Sequence, residues 1–251
     1  MDDDAQVIST LNVTVPGQDI LQTIEDNKVS TLGGGLTRLS DGRVISSVCG
    51  PLYIDDNRCW VAQSRKRHLP REGDFVIGVI VDSLGDSYSV DICGSRLAIL
   101  DNLAFDGVTR RNCPILNKGA VIFGRILRSE IDFEPQLTCK ATEGTVKKDW
   151  ASGESQFGEL KNGCVFPLKT SSCRRLSQVS ESHVLQALGK VMAFEICVGV
   201  NGRFWVSADD PRDVVFIGNV IQVTQGRNLA KTQAEALVKE LYSKMKGQRK
   251  T

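Results

Sequence analysis

Three sets of residues in this chain have types and spacings that could do chemistry. The first is carboxylates. Asp82, Asp86 and Asp91 lie close in sequence, and hydrolytic phosphodiester chemistry needs clustered carboxylates for metals, a histidine acid/base, or an activated nucleophile. Each of the three borders an expected strand or turn, which accounts for it structurally. No GxSxG, HExxH or P-loop pattern accompanies them. The second set is eight cysteines, at 49, 59, 93, 113, 139, 164, 173 and 197, with no CxxC pair and only His68 and His183 beside them. Zinc sites use paired Cys or His ligands at short spacing. Several of these cysteines stand in strand-like runs such as Val90-Asp91-Ile92-Cys93, so they read as reduced thiols packed as small hydrophobes. No metal, no cofactor and no catalytic residue is expected.

The third set could hold phosphate. "AFDGVTRRNCPILNKG", residues 104–119, carries Arg110, Arg111 and Lys118 with no acid after Asp106. Arg65-Lys66-Arg67-His68 forms a second basic run, which reads as a solvated linker or as an RNA contact. "EICVGVNGRFWVS", residues 195–207, contains Gly199-Val200-Asn201-Gly202. A Gly-x-x-Gly loop can clamp a nucleic-acid backbone. An Asn-Gly pair between two apolar runs is also the strongest short hairpin signal. Both flanks are rich in Phe, Ile, Val and Trp, which favours the hairpin. A type I′ turn centred on Asn201-Gly202 is therefore expected, with Trp205 as a core or interdomain anchor.

The elements that must position these groups follow from composition and pattern. The chain has 251 residues, 41% hydrophobic and 24% charged, in the ordinary range for folded soluble protein. No apolar run approaches the roughly 20 residues that span a bilayer, so no membrane partner is expected. The acidic start Met1-Asp2-Asp3-Asp4 has no apolar segment behind it, and the expectation is an intracellular protein without a signal peptide. The net charge of +1 conceals an asymmetry: −3 over residues 1–66, −1 over 67–150 and +5 over 151–251. That basic third is compatible with phosphate contacts but is too modest for a free-standing, high-affinity nucleic-acid binder.

Residues 1–66 read as a small β module of short strands and turns, with Gly33-Gly34-Gly35 as a flexible hairpin tip. The charged "QSRKRHLPREGD", residues 63–74, marks a boundary. Five strand-like segments follow: "FVIGVIVDS", "SYSVDIC", "RLAIL", "AVIFGRIL" and "QLTC". With one long mid-loop they fit an OB-type barrel over 67–148. Tyr88 and Phe105 could stack on bases there or pack in the core. From 149 the chain mixes strand and helix signals. "DPRDVVFIGNVIQVT" opens like a helix but is β-branched like a strand. Ala234, Leu237, Val238, Leu241 and Met245 fall at helical spacing. A three-stranded sheet covered by helices, the KH layout, is expected over 149–251. The fold class is multidomain and mainly β, ending in an α+β domain.

In order along the chain, "VPGQDIL", "GDFVIGVIVD…SYSVDIC", "LAFDGVTRRNCPIL", "EPQLTC", "FGELKNGCVFPL" and "FEICVGVNGRFWV" resemble the S1/KH cap subunits of the eukaryotic RNA exosome. The most specific mark is GxNG followed by an Arg-aromatic-Trp run, where ordinary KH modules carry GxxG. The resemblance implies an N-terminal β domain, an S1-type OB barrel and a KH domain in a non-catalytic subunit. Such a subunit sits with other cap subunits on an RNase-PH-like ring, stabilises it and frames the RNA entry pore. Nucleases docked elsewhere carry out 3′-to-5′ processing and degradation, in nucleus, nucleolus and cytoplasm. Relatives carry arginine where Cys113 stands here, so one pore-facing charge is missing, and Arg110 and Arg111 become the expected RNA contacts. The reading that competes with this one is a free-standing RNA-binding regulator.

Overall fold

The computed structural model describes residues 13–21, 30–55, 58–61, 67–130, 132–141, 155–177, 182–224 and 231–248. Its contacts divide the chain into a unit over 1–64 and a unit over 65–251. The first holds β1 (Val13–Thr14), β2 (Thr31–Leu32), β3 (Leu36–Arg38), β4 (Val44–Ser46), β5 (Gly50–Asp55) and β6 (Arg58–Val61). These form a sheet of order β1-β5-β6-β2 and a hairpin β3-β4 around buried Ile20, Val44 and Cys59. The three glycines do not form the flexible tip that the sequence suggests. Gly33 N–H donates to the Cys59 carbonyl (2.6 Å), Gly34 accepts from Val61 N–H (3.0 Å) and Gly35 from Ser47 N–H (2.9 Å). A Cβ at Gly33 would lie 2.7 Å from the Trp60 Cβ. The run lacks side chains because β6 packs directly on its backbone.

The second unit opens with the barrel strands β7 (Phe75–Ser83), β8 (Ser87–Asp91), β9 (Ala98–Phe105), β10 (Val121–Arg128) and β11 (Gln136–Cys139). The order is β11-β9-β8-β7-β10, and the β10–β11 pairing closes it. All five are the segments expected from alternation, because inward positions such as Ile122 and Ile126 on β10 or Val90 on β8 fill the barrel. The pair β9–β11 is parallel and the other barrel pairings are antiparallel. Strand β12 (Gly158–Leu160) joins the outer edge of β10. Just before it, Phe157 enters the barrel's own core and stacks on Phe75 and Phe123.

The remainder is α+β: β13 (Cys164–Pro167), α1 (Thr170–Ser177), α2 (His183–Gly189), β14 (Glu195–Gly199), β15 (Arg203–Ser207), α3 (Pro211–Thr224) and α4 (Lys231–Gln248). The antiparallel sheet β13-β15-β14 has two different faces. Phe166, Ile196, Val198, Phe204 and Val206 pack under the helices against Leu188, Ile217, Ile221 and Val238. Gly199, Arg203 and Trp205 alternate to the other face. The ambiguous α3 segment is helical. Asp210 caps it through Arg212 N–H (2.8 Å), and Val214, Ile217, Val220 and Ile221 are buried at i, i+3, i+6 and i+7. Tertiary burial overrides the weak β preference of its branched residues. On α4, Ala234 and Val238 are fully buried one turn apart.

The hairpin joining β14 to β15 differs in one respect from expectation. Gly199 pairs with Arg203, so the loop has three residues, Val200, Asn201 and Gly202. Only Gly202 takes a positive φ, +86°. A three-residue hairpin closed by a left-handed glycine replaces the two-residue type I′ turn. A side chain at 202 would be strained in that conformation, and its Cβ would meet the Leu168 carbonyl oxygen at 3.0 Å. Gly202→Val is expected to cost about 1–3 kcal/mol in urea unfolding. A variant as stable as wild type would contradict this geometry.

Candidate nucleic-acid interface

The long loop between β9 and β10 presents the arginines. Phe105, the last residue of β9, is buried in the barrel core, and Asp106 accepts the Ala141 N–H through its carboxylate (2.6 Å). The loop then closes a turn, with Asn112 N–H donating to the Thr109 carbonyl (3.0 Å) and Cys113 Sγ–H to the same oxygen (3.1 Å). Buried Tyr88 holds the far side: its hydroxyl donates to the Pro114 carbonyl (2.9 Å) and accepts from Leu116 N–H (3.2 Å). Neither ring is exposed to solvent. Tyr88 and Phe105 anchor the loop from beneath.

Arg110 and Arg111 stand exposed at the crest of this pinned loop, and Lys118 is exposed in the turn before β10. Among the described residues, none of the three lies in an ion pair. Unpaired guanidinium groups on a fixed backbone suit bidentate contact with phosphate. Arg67 is exposed as well, whereas Arg65 and Lys66 lie outside the described residues.

Gly199-Val200-Asn201-Gly202 has a different task. Asn201 is 1% exposed. Its Nδ2 donates to the carbonyls of Ile77 (2.8 Å) and Ile92 (3.0 Å), and its Oδ1 accepts from Ile77 N–H (3.2 Å). Val200 N–H donates to the Phe75 carbonyl (2.9 Å). All these partners belong to the barrel. Gly199 lies so close beneath that a Cβ would meet the Ile77 nitrogen at 2.7 Å and also the Asn201 amide oxygen. A clamp must offer free N–H groups at a helix start. Here the loop is turned inward, followed by a strand, and engaged with the barrel.

Arg203 completes the lock. Its Nη1 donates to the Asp91 carbonyl (2.7 Å) and its Nη2 to the Asp91 carboxylate (2.6 Å). Burial pushes the Asp91 carboxyl up. The hydrogen bonds from Arg203 and from Cys93 N–H, with the Arg203 charge, outweigh that and hold it below the ordinary carboxylate range. Asp82 likewise has a local job, accepting the Ser83 N–H (3.0 Å). Buried Cys59, Cys139 and Cys173 act as small hydrophobes, their thiols pushed up by burial to about 11, 12 and 12. Trp205, 4% exposed, lies on the same barrel-facing side of the sheet as Arg203.

Sequence reasoning placed Asn201 in a turn but missed its three partners, and missed the Asp91–Arg203 pair altogether. These contacts span 109 to 124 residues of sequence, beyond the reach of any periodicity. The available signal was chemical: an amide and a guanidinium two residues apart, in a segment otherwise apolar.

Comparison with known proteins covers most of the chain. The family described as "Exosome complex component RRP40, S1 domain" matches residues 68–149, and the KH domain family matches 163–212. Exosome complex component RRP40 of Drosophila melanogaster is 32% identical over 220 residues, covering 86% of this chain and 90% of the fly protein. Exosome complex component rrp40 of Schizosaccharomyces pombe is 36% identical over 220 residues, 84% of this chain and 88% of that one. A crystal structure assigned to an exosome complex RNA-binding protein superposes with a TM-score of 0.57 over 72% of this chain and 99% of its own, at 17% identity. At that identity the likeness speaks for the fold.

The Asp91–Arg203 pair generates a pH dependence. A carboxyl held below its ordinary pKa contributes stability that is complete above about pH 4 and is lost as pH falls through the lower folded value. Wild type is therefore expected to lose stability on acidification below about pH 4 more steeply than Asp91→Asn. Urea midpoints measured across that range give the comparison, and parallel curves would refute the assignment.

Proposed function

The chain belongs to the RRP40 family of exosome components, and from that premise we propose that it is a non-catalytic, RNA-binding cap subunit. In this reading it stabilises an RNase-PH-like ring together with the other cap subunits and guides RNA into the central channel. Ring-associated nucleases then carry out 3′-to-5′ processing and degradation, ribosomal RNA included, in nucleus, nucleolus and cytoplasm. The division of labour is a β domain over 1–66, an S1-type barrel over 67–148 and a KH-type domain over 149–251. Arg110, Arg111 and Lys118, joined by Arg65, Lys66 and Arg67, are the RNA contacts.

The observation that carries this reading is the opposite fate of the two candidate RNA elements. The arginine loop is braced from beneath and left open to solvent, whereas the glycine loop is buried against the barrel. Among the described residues, a short exposed basic loop beside a glycine loop turned inward suits a guide within an assembly better than an independent regulator. The fly and fission-yeast relatives, both named as components of a complex, weigh the same way. Asp91, whose carboxyl is held below its ordinary range, is engaged by Arg203, which supports a non-enzymatic role.

Replacing Arg110 and Arg111 together with Glu tests the proposal in the complex reconstituted with ring and cap subunits. Assembly should be unchanged and RNA protection should weaken. The slope of log affinity against log salt should become shallower by about 1 to 1.5 for the two lost phosphate contacts. Undiminished protection would remove these residues from the RNA path. Failure of the wild-type chain to co-assemble with ring subunits would overturn the cap reading itself.

A further inference from the structure

The sheet β13-β15-β14 meets the barrel unevenly. At one end Gly199, Asn201 and Arg203 bring it into hydrogen-bond contact with β7 and Asp91. Towards the other end the same face leaves a cavity of about 500 Å³, walled by Phe105 and Leu116 of the barrel, by Phe157, and by Glu195, Cys197 and Trp205 of the sheet. That volume lies within the range of small-ligand sites. The floor is apolar and aromatic. Gln156, Lys161 and Glu195, all exposed, supply polar groups at its edge.

Two further observations point to an occupant. Pro114 also lines the cavity, and it lies three residues beyond Arg111. A chain segment of that length spans at most about 10 Å, so phosphate held at Arg111 lies within a nucleotide or two of the opening. Among the described residues, the Glu195 carboxylate has no hydrogen-bond or ion-pair partner, while Lys161 is held close by Glu159 (3.2 Å). Single-stranded RNA is recognised by splaying a base out of the strand, packing it on apolar or aromatic groups and pairing its edge.

We propose that this cavity receives one splayed guanine of an RNA strand whose phosphates lie on the Arg110–Arg111 loop; the proposal rests on the RNA-guiding role put forward above. The edge chemistry selects the base. Guanine presents two adjacent donors, N1–H and N2–H, which a carboxylate accepts together, and beside them an O6 acceptor for the Lys161 ammonium or the Gln156 amide. Uracil presents a single N3–H between two carbonyls, and these repel the Glu195 carboxylate. Adenine and cytosine each offer one amino donor next to a ring nitrogen that is itself an acceptor.

The test uses the full chain, a short oligouridine, and the same oligomer carrying one guanosine. The guanosine oligomer should bind about tenfold more tightly, in keeping with one bidentate base contact. Glu195→Gln should abolish that preference, so that the two oligomers bind equally. With thioguanosine in place of guanosine, photo-cross-links should map to Cys197 or Trp205. Equal binding of the two oligomers, both salt-dependent, would refute the pocket and leave the RNA-guiding role standing, as would cross-links found only outside the cavity. Binding of neither oligomer would count against both.

Discussion

Backbone polar groups that leave water must find partners, and the second unit of this protein is organised around that constraint. Pressing the KH sheet onto the barrel buries the N–H and carbonyl of Ile77 and the carbonyl of Ile92. One asparagine side chain satisfies all three. Left unpaired, such groups cost about 1–3 kcal/mol each, so without Asn201 the two modules would be driven apart or would have to admit water. An amide suits the site because it carries donor and acceptor on one planar group. Aspartate would set a carboxylate against two carbonyl oxygens. Gly199 lets the backbone approach closely enough for the bonds to form, and Arg203 adds a charged bond to Asp91 at the same edge.

The lock explains why an RNA-binding fold carries its familiar loop in an unfamiliar role. The sheet keeps one face for its helices, with Phe204 and Val206 fully buried there, and gives the other to the barrel. The loop then points at protein rather than at solvent. Exposed positive charge stands on the barrel loop, which Tyr88 and Phe105 hold without themselves reaching the surface. The interface closes at the Asn201 end and gapes at the Glu195 end, and the cavity follows from that wedge.

Much of this was legible in the sequence, for identifiable reasons. The five barrel strands declared themselves because inward and outward residues alternate, and α4 because Ala234 and Val238 lie one turn apart. The segment of α3 was ambiguous, since Val and Ile suit either element until neighbours decide which face is buried. The glycine run 33–35 suggested mobility, but glycine is also what remains where another strand lies directly against the backbone. Tyr88 and Phe105 left two roles open because an aromatic in a strand near a basic loop can face either way. The lock was hidden because its partners are backbone groups, which carry no signature in residue identity. The arginine loop was visible as a charge pattern, and the braces that fix it were not.

The central claim is that Asn201 makes barrel and KH domain one cooperative body, and native-state hydrogen exchange tests it most directly. In the wild-type chain, the slowest amides of β10 and of β15 should exchange with the same opening free energy and the same denaturant dependence, as members of one unfolding unit. In Asn201→Ala, the β15 amides should open at lower free energy while those of β10 keep more of their protection. If the two sets already exchange independently in the wild type, or if the substitution lowers both equally, the asparagine does not join the modules and the account fails.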